Sequence, residues 1–232
     1  MEPSNKTAEF DAFAASYDAD LDKGISVSGE DKDYFANGRV QLLSKRLQQI
    51  GNTPVKIMDF GCGTGSAIPF LRNQFPQALI VGAEVSEKSI QIAQQIHNHK
   101  NIRFTLLENL RLDQSFDLVF CNGVFHHIPK HERAAAIEMI RAVLRTGGCF
   151  ALWENNPWNP GTRIVMSRIP FDRDADPINP LESKKMLRYG KLQIARIDFA
   201  FYFPKLLRLF RCFEPLLLKV PLGAQYQILA TK

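Results

Sequence analysis

The stretch "VKIMDFGCGTGSAIPFL", Val55 to Leu71, restricts the fold of this chain more than any other. An apolar run ends in Asp59, glycines follow at Gly61, Gly63 and Gly65, and helix formers come next. A strand that breaks into a glycine loop and resumes as a helix is the opening unit of a doubly wound sheet, where ligands settle outside the carboxyl ends of the strands. Glycine removes the Cβ, so a ligand can lie against the backbone. The free N–H groups of the following helix face anything anionic. The spacing is D-x-G-x-G-x-G. The dinucleotide pattern G-x-G-x-x-G would want its third glycine at 66, where Ser66 stands.

The rest of the chain supports that sheet. Two helical stretches come first, over about Ala8–Ala19 and Asp31–Ile50, the second stopped by Gly51. Strands are then expected over Val55–Phe60, Leu79–Ala83, Ile102–Leu106, Phe116–Cys121 and Cys149–Trp153. Helices are expected between them over Ser66–Gln74, from a Ser86 cap to about Asn98, and from about Lys130 to Arg145, the last stopped by Gly147 and Gly148. Strands alternating with helices argue a mostly parallel sheet with helices on both faces. The end of the chain departs from this. Gln193–Phe203 and Gln225–Thr231 read as strands without a full crossover helix between them, which allows an antiparallel pair. The whole reads as one α/β domain over residues 1–232: a helical N-terminal part, 1–50; a cofactor-binding core, 55–154; and an acceptor loop with the antiparallel strands, 155–232.

Glu84 closes the second strand in "GAEVSEKSI", 23 positions after Gly61, where an acid can accept two hydrogen bonds from a ribose diol. A diol-binding acid and a glycine loop suit NAD or S-adenosylmethionine. Three features favour the second: the G-x-G-x-G spacing, the antiparallel finish, and Asp59. A carboxylate before the loop sits badly beside a pyrophosphate and well beside a cationic amino-acid group. A nicotinamide-dependent oxidoreductase is the rival enzyme reading, and the chain lacks a Tyr-x-x-x-Lys pair on a helix. A cofactor-binding protein without catalysis is the rival outside the enzymes, since fold does not fix activity.

In order and spacing, "VKIMDFGCGTG", "VGAEVSEKSIQIA", "SFDLVFCNGVFHHI" and "VLRTGGCFALWE" resemble the class I S-adenosylmethionine-dependent methyltransferases, closest to the small-molecule group that includes quinone-biosynthesis enzymes. The resemblance covers about residues 55–154. It implies a seven-stranded, doubly wound, mostly parallel sheet with an antiparallel last strand. It also implies a cofactor site of Asp59, Gly61, Gly63, Gly65, Glu84, Val85 and Asn122. "FDAFAASYDADL" is similar to the lid before that domain, in which Tyr17 would lie over the methionine end of the cofactor. Arg39, in "ANGRVQLL", could pair with the cofactor carboxylate. Where the family carries an acid near the adenine, this chain has Leu106, so Leu107 or Glu108 would serve there.

His126 and His127 follow the fourth strand, at the rim where a transferable methyl would lie, and histidine is the natural general base near neutral pH. A hydroxyl acceptor loses a proton as it is methylated, so O-methylation is the favoured reaction. His127 and His131 are four apart, but Pro129 disturbs the helix between them and no carboxylate completes the set, so no metal is expected. "ENNPWNPGTR" is near the N-P-P-[YFW] of base-modifying amino methyltransferases, but it follows the fifth strand and has Asn156 in place of proline. It reads as an acceptor loop, continued by "RIPFDRDADPINP", with Asn179 capping a helix that opens at Pro180. The four cysteines, 62, 121, 149 and 212, form no C-x-x-C pair and are expected as reduced thiols.

Residues 1–33 hold nine acids against three lysines, and residues 184–232 hold ten basic groups against two acids. That basic end suits a peripheral membrane contact through 204–219. Lys205, Arg208 and Arg211 recur at steps of three, and Leu206, Leu209, Phe210, Phe213 and Leu217 fall on another face of an amphipathic helix. Nucleic acid is not expected, because leucines rather than stacking aromatics are interleaved with the charges. No apolar run reaches ~18 residues and no signal-peptide core opens the chain, so cytoplasmic residence is the expectation.

Overall fold

The computed structural model describes residues 17–172 and 175–232. The expected helix over Ala8–Ala19 therefore lies mostly outside the described residues. One sheet organises the rest. Its strands are β1 Lys56–Phe60, β2 Leu79–Glu84, β3 Ile102–Leu106, β4 Phe116–Asn122, β5 Leu144–Asn155, β6 Gln193–Ala200 and β7 Gln225–Thr231, in the order β3-β2-β1-β4-β5-β7-β6. β1 pairs in parallel with β2 and β4, and the outer pairs β2–β3 and β4–β5 are parallel too. β7 inserts antiparallel between β5 and β6 and alone runs against the other six. The strand order reverses between β1 and β4, so a crevice opens beyond Phe60 and Asn122.

Successive strand residues point to opposite faces, and both faces are apolar because both are covered. Met58, Phe60, Val119 and Cys121 join one core with Ile137, Ile140 and Leu187. Ile57, Leu118 and Phe120 join the other with Val40, Leu43, Leu47, Ile68 and Leu71. The covering helices are α1 Tyr17–Ile25, α2 Lys32–Gln49, α3 Ile68–Gln74, α4 Glu87–Ile96, α5 Arg133–Val143, α6 Pro160–Met166, α7 Pro180–Tyr189 and the short α8 Glu214–Leu217. Their starts are fixed by side-chain caps. Asp31 accepts from Tyr34 N, Ser86 from Ser89 N, and Asn179 from Leu181 N and Glu182 N with Pro180 at the first position.

Three expected boundaries are corrected. The helix expected over Lys130–Arg145 runs only Arg133–Val143, because Leu144 already pairs with Phe116 and starts β5. Gly147 and Gly148 sit inside β5, at a register shift, rather than stopping a helix; Gly147 has φ +74. β6 stops at Ala200 instead of reaching Phe203, since Phe201 turns the chain with φ +63.

The segment after β6 is not one α-helix either. It is a 3₁₀ helix, Lys205–Phe213, kinked at Leu207, followed by α8. With three residues per turn, side chains three apart eclipse. The expected basic face is corrected: Lys205 and Arg208 are exposed, but Arg211 turns inward, pairing with Glu30 at 2.9 Å, standing over the Tyr34 ring and donating to Phe203 O. Leu206 and Leu209 share one stripe, and Leu207, Phe210 and Phe213 another. No residue of Lys205–Leu217 is buried.

Candidate functional site

The glycine loop leaves β1 with its backbone tied to β2: Gly61 N and Cys62 N both donate to Ala83 O. The three glycines have positive φ, but for different reasons. A Cβ on Gly61 would meet Val124 at 2.4 Å, and one on Gly65 would meet His97 at 2.6 Å. These two are small because the chain packs on itself. A Cβ on Gly63, at φ +52, would meet nothing within 4 Å and points into open space. Gly63 is therefore the position where a ligand can back onto the loop.

Glu84, buried at the end of β2, fixes this loop. Its Oε2 accepts from Gly63 N at 3.0 Å, and its Oε1 from Val85 N at 2.7 Å and Ser86 N at 3.1 Å. Asp59 lies beside it, and its Oδ2 is buried with no hydrogen-bond partner. Burial first, and then repulsion from Glu84, push the Asp59 carboxyl up to about 7 against the pull of the Arg39 charge. Arg39 comes from α2, is buried, and donates through Nη1 to Gln225 Oε1 at 3.0 Å, across the sequence from the last strand.

Next to this crevice lies a cavity of about 350 Å³. Arg39, Asn122 and Gly123 line its sheet end; α1 and α2 supply Ile25 and Phe35, the 155–172 segment supplies Ile169 and Phe171, and the chain after β6 supplies Phe203 and Arg211. The long loop expected after the fifth strand is thus partly helical and forms one wall. Asn156, the residue that separates "NNPW" from the amino-methyltransferase motif, turns away from the cavity: its Nδ2 donates to Pro221 O and Gly223 O.

His126 and His127 stand on the same wall. His126 is buried between two carboxylates, with Nδ1 2.5 Å from Glu154 Oε2 and Nε2 3.3 Å from Asp172 Oδ1. Glu154 Oε1 also accepts from Phe125 N at 2.8 Å. Burial resists a charge on His126, but Glu154 and Asp172 prevail and raise it to about 10. His127 Nε2 lies 3.2 Å from the same Asp172 Oδ1. For His127 burial prevails over Asp172, with help from the neighbouring His126 charge, so it is held below the usual histidine range. Burial acts against the Asp172 carboxylate, but the two histidines hold it down at about 2.

The structure brings Asp59, Gly63, Glu84, Arg39, Asn122, His126 and His127 to one end of the sheet. Val85 follows Glu84 and is partly exposed. Leu107 is half-buried against the core, and Glu108 is exposed in the short 3₁₀ turn after β3. The side chain of Tyr17 lies outside the described residues. His131 does not join His127; it is 80% exposed beside Glu132. The metal-like grouping lies elsewhere: ligand atoms of His126, His127 and Asp172 come within 4.8 Å of one another. Sequence reasoning missed Glu154, Asp172 and Gln225. An acid closing the apolar run "CFALWE" is a usable signal for Glu154; nothing local marks the other two.

Comparison with known proteins agrees with this architecture. The family model described as "Methyltransferase domain" matches residues 58–150. A malonyl-[acyl-carrier protein] O-methyltransferase of Bacillus anthracis is 30% identical over 45% of this chain and 42% of its own length. A trans-aconitate 2-methyltransferase of Variovorax paradoxus is 29% identical over 57% of this chain and 51% of its own. The chain thus spans about half the length of these curated relatives. A crystal structure of an S-adenosylmethionine-dependent methyltransferase from Thermotoga maritima superimposes with a TM-score of 0.64 at 16% identity, over 96% of this chain and 98% of that one. Residues 58–150 thus match a methyltransferase domain, and the described sheet has the fold of the S-adenosylmethionine-dependent methyltransferases.

Proposed function

We propose that the chain transfers a methyl group from S-adenosylmethionine to an oxygen of a small or lipid-like acceptor held in the 350 Å³ cavity. The observation that carries this reading is the junction of two spaces: a glycine crevice built around Gly63 and Glu84, and an apolar cavity that meets it at Arg39, Asn122 and Gly123. The residues fit the cofactor. Gly63 leaves room against the backbone, and the partnerless Asp59 Oδ2 is a buried acceptor suited to a cationic amino group. Glu84 keeps lone pairs for a ribose diol while it holds the loop, and Val85, Leu107 and Glu108 would flank the adenine. Arg39 would face the cofactor carboxylate.

The bound sulfonium supplies a methyl group that is already activated. The chain's own contribution is then mainly to place the acceptor in line and exclude water. His127 is the proposed base: partly buried and neutral, it can take the acceptor proton, while Asp172 orients its ring. O-transfer is favoured by this base, and one relative is named an O-methyltransferase.

Exposed leucines next to the cavity mouth support a lipid-like acceptor. Leu206 is 92% and Leu209 84% exposed, with Lys205 and Arg208 alongside. The 204–219 segment would rest on the anionic cytoplasmic face of a membrane. Among the described residues no helix is long and apolar enough to cross one.

Calorimetry and turnover test the reading together. The chain should bind S-adenosylmethionine and not NAD. Gly63→Val should abolish that binding, and Glu84→Ala should weaken it by about 1.5–3 kcal/mol, the worth of hydrogen bonds to a charged group. His127→Gln should slow turnover of a hydroxyl acceptor by roughly 10²–10⁴ with cofactor affinity unchanged. Tight NAD binding with none of the sulfonium would sink the proposal.

A further inference from the structure

Two histidines and two carboxylates meet at the cavity wall, and a single base needs only one of each. We propose that His126, His127 and Asp172 bind a divalent first-row transition-metal ion, whose remaining coordination positions open into the cavity and take an oxygen of the acceptor. The site itself rests on geometry alone; its role toward the acceptor rests on the methyl-transfer reading.

The distances fit. Asp172 Oδ1 lies 3.3 Å from His126 Nε2 and 3.2 Å from His127 Nε2. Metal–ligand bonds of about 2.0–2.1 Å at tetrahedral or octahedral angles place adjacent donors roughly 3.0–3.4 Å apart. The outer contacts fit as well. A ligating histidine usually donates its other ring N–H to a carboxylate, which fixes the tautomer. Glu154 Oε2 stands at His126 Nδ1, and Glu154 is itself anchored by Phe125 N. With Nδ1–H toward Glu154, the Nε2 lone pair of His126 points to Asp172 and the shared position. Glu154 and Asp172 also bring two buried carboxyl groups beside the rings, and a divalent ion would sit in place of the proton that His126 holds between them. Two imidazoles and one carboxylate suit zinc, iron, cobalt or manganese rather than the all-oxygen sites of magnesium or calcium.

An ion here would displace any Nε2 protons of the two rings to solvent. It would also change the work of His127. With its Nε2 lone pair on the metal, the ring holds the ion, and the ion's charge lowers the pKa of a bound acceptor oxygen.

Cobalt(II) tests this directly. Protein dialysed against EDTA should take up one equivalent of Co²⁺ with visible ligand-field bands. Those bands should shift when acetohydroxamate, a bidentate oxygen probe, is added. Asp172→Asn and His127→Gln, checked for native circular dichroism, should lose about 100-fold or more in Co²⁺ affinity, and Glu154→Gln about 10–100-fold. His131→Gln, at the exposed histidine, should bind as the parent does. No uptake by the parent chain, or equal uptake by Asp172→Asn, overturns the site. Bands that acetohydroxamate leaves unmoved overturn its role toward the acceptor. S-adenosylmethionine affinity measured on the same samples reports on the methyltransferase reading separately.

Discussion

Asp59 is held in an uncomfortable state, and that has a readable pH signature. Its folded pKa of about 7 lies well above the ordinary carboxylate value, because of burial and Glu84. The folded chain therefore keeps a proton that the unfolded chain has lost. Stability from this group is full below about pH 4 and falls as pH rises through about 7. Asp59→Asn, which cannot ionise, should melt higher than the parent at about pH 8, and the gap should close near pH 4. A cationic ligand beside Asp59 favours its ionised form, so S-adenosylmethionine should bind the parent chain more tightly as pH rises from about 6 to 8, and Asp59→Asn with a flatter profile. A melting gap that instead widens at low pH would contradict the assignment. At this scale the glycine loop and Glu84 are legible in sequence because they are local motifs with fixed spacing. The difference between Gly61, squeezed by Val124, and Gly63, open to a ligand, is not, since both read as glycine. Glu154 and Asp172 reach His126 from 28 and 46 residues away, and no periodicity records such a meeting.

At the scale of elements, α2 is pinned to β6 by a buried ion pair. Arg46 Nε donates to Asp198 Oδ2 at 2.8 Å, while Arg196 and Lys219 reach the same carboxylate. Burial opposes the charge on Asp198, but these three cations prevail and hold its pKa low. Asp198→Ala would leave Arg46 buried without its carboxylate, and should cost about 3–5 kcal/mol in urea unfolding. A loss within ~0.5 kcal/mol would mean that the pair contributes nothing net. The 205–217 segment makes the opposite kind of prediction. Its leucines touch solvent, so Leu206→Ser with Leu209→Ser should leave the melting temperature unchanged yet abolish sedimentation with anionic liposomes. A Lys205/Arg208 alanine double variant should bind such vesicles less, with the loss greatest at low salt. No binding by the parent chain at low salt would remove the membrane contact. The sequence shows amphipathicity here but not geometry, because steps of three suit an α-helix and a 3₁₀ helix alike. Helix starts are more legible than helix ends. Asp31, Ser86 and Asn179 announce their caps, whereas Val143 runs into β5 with no stop residue.

At the scale of the molecule, the strand–helix alternation before residue 155 already implies a parallel sheet with a crevice at its switch point, and the missing crossover after β6 implies a reversed finish. The sequence leaves open which neighbour β7 takes. The structure seats it between β5 and β6, paired with both along its whole length. Removing residues 223–232 should therefore detach two strands rather than one, and limited proteolysis of that truncated chain should cut within Gln193–Ala200. Protection of that stretch would show that β6 docks without β7. The same insertion dictates an order of events during synthesis. β6 leaves the ribosome about thirty residues before β7, the strand it pairs with. The nascent chain must then carry an orphan strand, and the neighbouring cavity an unfinished wall, until the last strand is made.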